Sequence, residues 1–182
     1  METIQEKYNR IRPQIEGGDL ILFRGTKLLA KLIQWCDDSY FNHIGVVVEQ
    51  YGALFIVDAN GDGVQADRLS QRINSYKKYA DFTILKPLAS EYRIEEAMHN
   101  LLKRSDNNTI KYDFNNGAKE LFNRKFNPSF KINENSEKRA ICSSNVFKYA
   151  ISLDMVTSGF RTLRIAFPQD YIRCLNKAIR ID

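Results

Sequence analysis

The stretch "HIGVVVEQYGALFIVDAN", residues 43–60, holds two runs of β-branched and aliphatic residues on either side of Tyr51 and Gly52. Two such runs separated by a glycine-bearing turn predict an antiparallel hairpin. Side chains alternate along a strand, so His43, Gly45 and Val47 share one face while Ile44, Val46 and Val48 share the other. In the second run Leu54, Ile56, Asp58 and Asn60 lie together. A loop of even length pairs odd-numbered residues with even-numbered ones, which sets His43 opposite or diagonal to Asp58 on the same face. A carboxylate bound to one imidazole nitrogen fixes the tautomer and leaves the other nitrogen as a base. Gly45, beside them, leaves room for another element to approach.

Working outward, "GDLILFRG" (18–25) and "DFTILKPL" (81–88) read as further strands. Residues 2–11 predict a helix that ends before Pro13. In "TKLLAKLIQWC" (26–36), Leu28, Leu29, Leu32, Ile33 and Cys36 recur at helical spacing behind a Thr26 cap. "IEEAMHNLLKR" (94–104) is amphipathic, and "PQDYIRCLNKAIR" (168–180) predicts a last helix with Pro168 in its first turn. The pattern predicts an α+β fold, a central antiparallel sheet packed with helices, in a single domain over 1–182. Residues 105–139 hold eight asparagines and few aliphatics. Apart from a short helix around "NGAKELF", they read as a variable loop or lid, since long irregular segments in compact domains are usually functional or mobile.

Composition narrows the classes. The 182 residues are 43% hydrophobic and 27% charged, which excludes wholesale disorder. No apolar run approaches the roughly 18 residues of a transmembrane helix. The N-terminal "METIQEKYNRIRPQIEGGD" lacks the apolar core of a signal peptide, so a cytoplasmic location is expected. Three cysteines without C-x-x-C spacing suit neither a disulfide framework nor a zinc site. Residues 1–102 carry 12 basic and 14 acidic side chains, and residues 103–182 carry 15 and 8. The basic residues of the second part are scattered, as on a solvated face, and nucleic-acid motifs are absent, so no nucleic-acid partner is expected. Contact with an anionic surface or lipid is the alternative that such asymmetry leaves. "DANGDGVQADRL" (58–69) opens like a calcium loop, but Leu69 stands where a bidentate glutamate is needed and the preceding "ALFIV" is strand-like. A glycine-rich turn between strands is the better reading.

The other chemistry-bearing stretch is "RAICSSNVFKYAISL", residues 139–153. Val146, Ala150 and Leu153 follow Cys142 at helical spacing, which places the cysteine at the head of a buried stripe. Unpaired N–H groups and the positive dipole end of a helix favour a thiolate and a developing oxyanion. Cysteine also packs in cores without any chemical role, and Cys36 and Cys174, in apolar helical settings, are expected to do so. His99 is expected on a helix surface, and Asp19, after two glycines, to support a strand turn.

Together "GGDLILFRG", "FNHIGVVVE", "IVDANGDGVQADRL", "KYDF" and "ICSSNVFKYAI" resemble, in that order, the permuted branch of the NlpC-like papain-fold cysteine hydrolases. That branch includes YiiX-type proteins, poxvirus relatives and, more distantly, lecithin:retinol acyltransferase. The resemblance covers about residues 17–172 and implies a circularly permuted papain-like fold, with the histidine strand ahead of the cysteine helix. It implies Cys142 as nucleophile, His43 as base and Asp58, where many relatives carry glutamate, as the orienting member, with Asn60 as the fallback. Tyr112, Asp113 and Ser143 are implied as substrate-binding residues. No cofactor or metal is implied. The expected activity is thiol-dependent hydrolysis of a peptide-like amide. The alternatives are a lipid acyl hydrolase or acyltransferase of the same fold, and a binding module that uses the cleft without turnover.

Overall fold

The computed structural model describes residues 2–36, 38–60, 63–75, 79–105, 111–112, 139–140, 146, 149–155 and 178–182. Helix α1 (Ile4–Ile11) begins at a capping box, in which the Thr3 hydroxyl accepts from the Glu6 N–H and the Glu6 carboxylate accepts from the Thr3 N–H. Then follow β1 (Leu20–Gly25), α2 (Leu28–Cys36), β2 (His43–Gln50), β3 (Ala53–Asn60), β4 (Gly63–Arg68), α3 (Leu69–Ser75), β5 (Tyr79–Pro87) and α4 (Glu91–Ser105). Two short strands, β6 (Lys111–Tyr112) and β7 (Arg139–Ala140), pair in parallel, and β8 (Ala178–Ile181) comes last. The main sheet runs β4-β3-β2-β1-β5-β8 and is antiparallel throughout. The fold is therefore mixed α+β with a six-stranded antiparallel sheet.

Alternation along the strands builds two cores, one on each face. Ile21, Phe23, Val47, Ile56, Phe82 and Ile84 pack with Tyr8 and Ile11 of α1 and with Leu69 and Ile73 of α3. Leu20, Leu22, Ile44, Val46, Val57 and Val64 pack with Ala97 and Leu101 of α4 and with Val146, Tyr149, Ala150 and Leu153. The helical residues at 146 and 149–152 thus belong to the face opposite α1 and α3. The Tyr149 hydroxyl ties them to the start of β1 by donating to the Gly18 carbonyl at 2.6 Å.

Three features differ from the sequence reading. The glycine-rich stretch after Asp58 lies between two strands, as expected, but the sequence reading has neither that second strand, β4, nor the helix α3 that follows it. The predicted helix over 168–180 does not reach its C-terminal end: Ala178–Ile181 is a strand on the edge of β5, where ladder bonds satisfy backbone groups that would otherwise be unpaired. Thr83 fastens that strand: its hydroxyl donates to Asp182 Oδ1 at 2.6 Å and lies 3.1 Å from the Ile181 carbonyl oxygen. Helix α2 forms as expected, but its apolar residues face outward: Leu28, Leu29, Leu32 and Trp35 are exposed, and Cys36 is half-buried rather than core. The short helix expected near "NGAKELF", most of the 105–139 lid and Cys174 lie outside the described residues. Among the described residues no helix is long and apolar enough to cross a membrane.

Candidate functional site

His43 opens β2 and Asp58 lies near the end of β3. Between them Tyr51 and Gly52 have φ of 53° and 70°, the positive pair that a two-residue hairpin of matching twist requires. This turn sets the register Val46↔Val57 and Val47↔Ile56. Continued one step, it carries Asp58 opposite Gly45 and diagonal to His43. A Cβ on Gly45 would stand 2.7 Å from the Ile56 side chain and 3.1 Å from the Asp58 Cβ. The glycine hydrogen is what lets these two side chains cross above β2. The room at Gly45 is filled by the neighbouring strand.

The imidazole Nε2–H donates to Asp58 Oδ2 at 2.7 Å. A carboxylate oxygen only accepts, so the neutral ring holds its proton on Nε2 and its lone pair on Nδ1. The second carboxylate oxygen is also engaged: Arg72 Nη2 donates to Asp58 Oδ1 at 2.6 Å and lies 2.7 Å from Asp67 Oδ2. Asp58 is 0% exposed at its side chain, Arg72 3% and His43 13%, so the carboxylate is sealed while the imidazole retains an opening. Tyr79 lies nearly parallel to the imidazole, at 6.4 Å between centroids and 14°, and stacks on Phe23 at 4.5 Å. Phe23 is the β1 partner of His43. The imidazole therefore has a carboxylate along one edge and aromatic rings beside it, a setting that holds the ring plane.

The structure thus brings His43 and Asp58 together. Asn60 pairs with Gly63 in the β3–β4 ladder, and Tyr112 pairs with Ala140. The side chains of both lie outside the described part, as do Cys142, Ser143 and Asp113. His99 is exposed on α4, as expected. Asp19, 2% exposed, braces the turn before β1: its Oδ2 accepts from the Glu16 N–H at 2.9 Å. The residue that sequence reasoning missed is Arg72. Its signal was present, because Leu69, Arg72 and Ile73 occupy one helical stripe and a cation on a buried stripe demands a buried anion.

No protein-family model matches the chain, and no curated protein matches its sequence. Its fold is similar to the crystal structure of the metalloprotein YiiX from Escherichia coli O157:H7, with a TM-score of 0.60 and 17% sequence identity, covering 93% of this chain and 97% of that one. At that identity the likeness is one of fold: the chain has a YiiX-like architecture.

Proposed function

We propose that this chain is a thiol-dependent acyl hydrolase of permuted papain-like fold, with Cys142 as nucleophile, His43 as general base and Asp58 as the group that orients the imidazole. One observation carries the reading: an imidazole at the end of a strand, partly open, whose Nε2 is committed to a sealed carboxylate. In the first step the Cys142 Sγ–H proton passes to His43 Nδ1 and the sulfur attacks the carbonyl carbon of an amide or ester. The imidazolium then gives that proton to the departing amine or alcohol as the C–N or C–O bond breaks, leaving a thioester. Water attacks the thioester, His43 takes the water proton, and the acid leaves as the proton returns to sulfur. Asp58 accepts from Nε2 throughout and carries no proton itself.

Chain connectivity supports the encounter. β7 packs against β4, whose Gln65 is the ladder partner of Asp58, and Cys142 follows Ala140 by two residues, a reach of about 7 Å. The helical residues from Val146 onward pack on the sheet face opposite His43. The reading therefore requires the thiol to meet the imidazole beyond the first residue of β2, not across the sheet.

YiiX is a metalloprotein. The donors described here do not fit a metal ion. Among the described residues no three His, Cys, Asp or Glu side chains form a group that would hold one. Both Asp58 oxygens are engaged, one of them by a guanidinium that would repel a cation. No step of the proposed reaction passes through a metal.

Limiting iodoacetamide at neutral pH tests the assignment. Cys142 is expected to label ahead of Cys36 and Cys174, and His43→Ala to slow that labelling. On any substrate the protein turns over, Cys142→Ala should lower kcat by about a thousandfold or more, while Asp58→Asn keeps measurable activity. Wild-type turnover in Cys142→Ala would end the proposal.

A further inference from the structure

A second carboxylate stands behind the His43–Asp58 pair. Strands β3 and β4 run antiparallel with Asp58 opposite Gln65 and Ile56 opposite Asp67. Residues opposite each other share a face, so Asp67 lies diagonal to Asp58 on the side of the sheet that α3 covers. After β4 the chain enters α3, where Leu69 and Ile73 are buried in the same core and Arg72 is buried beside them. The end of one strand and the start of one helix therefore deliver Asp67 and Arg72 to the same place.

One nitrogen serves both carboxylates. Arg72 Nη2 donates to Asp58 Oδ1 at 2.6 Å and stands 2.7 Å from Asp67 Oδ2. The Asp58 side chain is sealed, whereas that of Asp67 is 46% exposed and meets water. A charge on Asp67 competes with Asp58 for the same guanidinium, and in a buried network such competition reaches the next member. That member is the imidazole. Among the described residues it faces Asp58 from β3, Phe23 from β1 and Tyr79 from β5, with Arg72 and Asp67 behind the carboxylate. The guanidinium opposes a positive charge on the ring, and Asp67 offsets that opposition.

We propose that Asp67 is a positioning residue of the site: through Arg72 it keeps enough negative charge at Asp58 for His43 to hold a second proton. The proposal rests on the acyl-hydrolase reading and deepens its account of the base. Asp58 orients the ring, and Asp67 sets how much of the Asp58 charge the ring feels. Asp67→Asn keeps the shape and removes the charge, while Arg72→Met removes the opposing cation. The two substitutions move His43 in opposite directions, which a mere loss of packing does not do.

The full chain carrying Cys142→Ala, which uncouples the imidazole from the thiol, is titrated by NMR. His99, the only other histidine and exposed on α4, is the internal reference. Asp67→Asn should lower the pH at which His43 charges by about half a unit, and Asp67→Glu should restore it. The difference should shrink in about 1 M salt, because a half-exposed charge is screened. Arg72→Met should raise the same midpoint by about one unit. Should that variant fail to fold, the two Asp67 variants carry the test. An Asp67→Asn midpoint equal to that of the parent, or shifted in the same sense as in Arg72→Met, would overturn the proposal. With Cys142 restored, Asp67→Asn should slow iodoacetamide labelling of that thiol about threefold near neutral pH. A midpoint that moves while labelling keeps its wild-type rate upholds the Asp67 linkage and overturns the pairing of His43 with Cys142, so the two readings fail separately.

Discussion

Two carboxylates are buried to nearly the same degree, Asp58 at 1% and Asp19 at 2% exposure, and they are held in different ways. Asp58 has a guanidinium at 2.6 Å on one oxygen and an imidazole at 2.7 Å on the other. Asp19 accepts from a backbone N–H at 2.9 Å, and its nearest ammonium, on Lys86, stands at 3.6 Å because that lysine makes its 2.8 Å contact with Glu16. Burial pushes the Asp19 carboxyl up to about 6; the Glu16 amide and Lys86 oppose the rise, and the Glu16 charge adds to it. The same burial, with the Asp19 charge added, drives the Tyr149 hydroxyl upward. The contrast is one of partners: Asp19 answers burial with a raised carboxyl, and its nearest ammonium stands off at 3.6 Å. A carboxylate that must accept continuously from a histidine carries its own cation, placed on the oxygen that the histidine does not use.

The contrast breaks most decisively at Arg72. Replacing it with methionine keeps most of the apolar stem and leaves Asp58 and Asp67 without the guanidinium. Breaking a buried pair by removing one partner costs about 3–5 kcal/mol, so Arg72→Met should lower the urea midpoint accordingly. Arg72→Lys should recover part of the loss, because an ammonium lacks the planar fork of the guanidinium. An Arg72→Met variant as stable as the wild type would mean that the cation does not hold Asp58, and the two carboxylates would no longer differ in kind.

Asp19 sharpens the same contrast through pH. In the unfolded chain it titrates near its usual 3.8, and in the folded chain near 6. Between those values the folded chain keeps a proton that the unfolded chain has released. Stability therefore falls as pH rises through this window, by up to about 3 kcal/mol, and the loss is complete above the folded value. Asp182, whose carboxyl burial raises but Thr83 and Arg180 together hold low on balance, contributes in the opposite sense and only at lower pH. Asp19→Asn keeps an acceptor for the Glu16 amide and removes the titration. Urea midpoints from pH 4 to 7 should show a downward slope in the wild type relative to the variant; parallel profiles would show that Asp19 titrates normally.

The halves of this picture were not equally legible in the sequence. The His43–Asp58 meeting was, because alternation and an even turn fix which side chains share a face without any knowledge of what packs above them. Arg72 was hidden because β4 and α3 read as a polar turn: Ala66 and Arg68 of the strand face solvent, and the helix is short. Helix α2 shows the limit of periodicity. Spacing told which of its leucines share a side, and said nothing about whether that side meets protein or solvent. β8 was misread for a related reason, since "AIRI" suits the tail of a helix until the open edge of β5 claims it. The Cys142 half rests on family resemblance and helix patterning, neither of which reports the distance from a thiol to His43.

The smallest expected effect lies at Gly45, and it tests whether the pair is placed by packing rather than by charge alone. A methyl there would meet Ile56 at 2.7 Å and the Asp58 Cβ at 3.1 Å, so one of them must move. Overpacking of this kind costs about 1–3 kcal/mol, and Gly45→Ala should destabilise within that range. Displacing Asp58 should also lengthen its contact with the imidazole. The Nε2 proton, visible by NMR in the wild type when a buried carboxylate protects it from exchange, should broaden or vanish in the variant. Ile56→Val removes one of the two atoms in closest approach, so in combination with Gly45→Ala it should restore part of both signals, a positive coupling in a double-mutant cycle. A Gly45→Ala protein with unchanged stability and an intact imidazole proton would show that β2 and β3 are not packed this closely. The alignment of His43 with Asp58 would then have to come from the Arg72 side of the carboxylate.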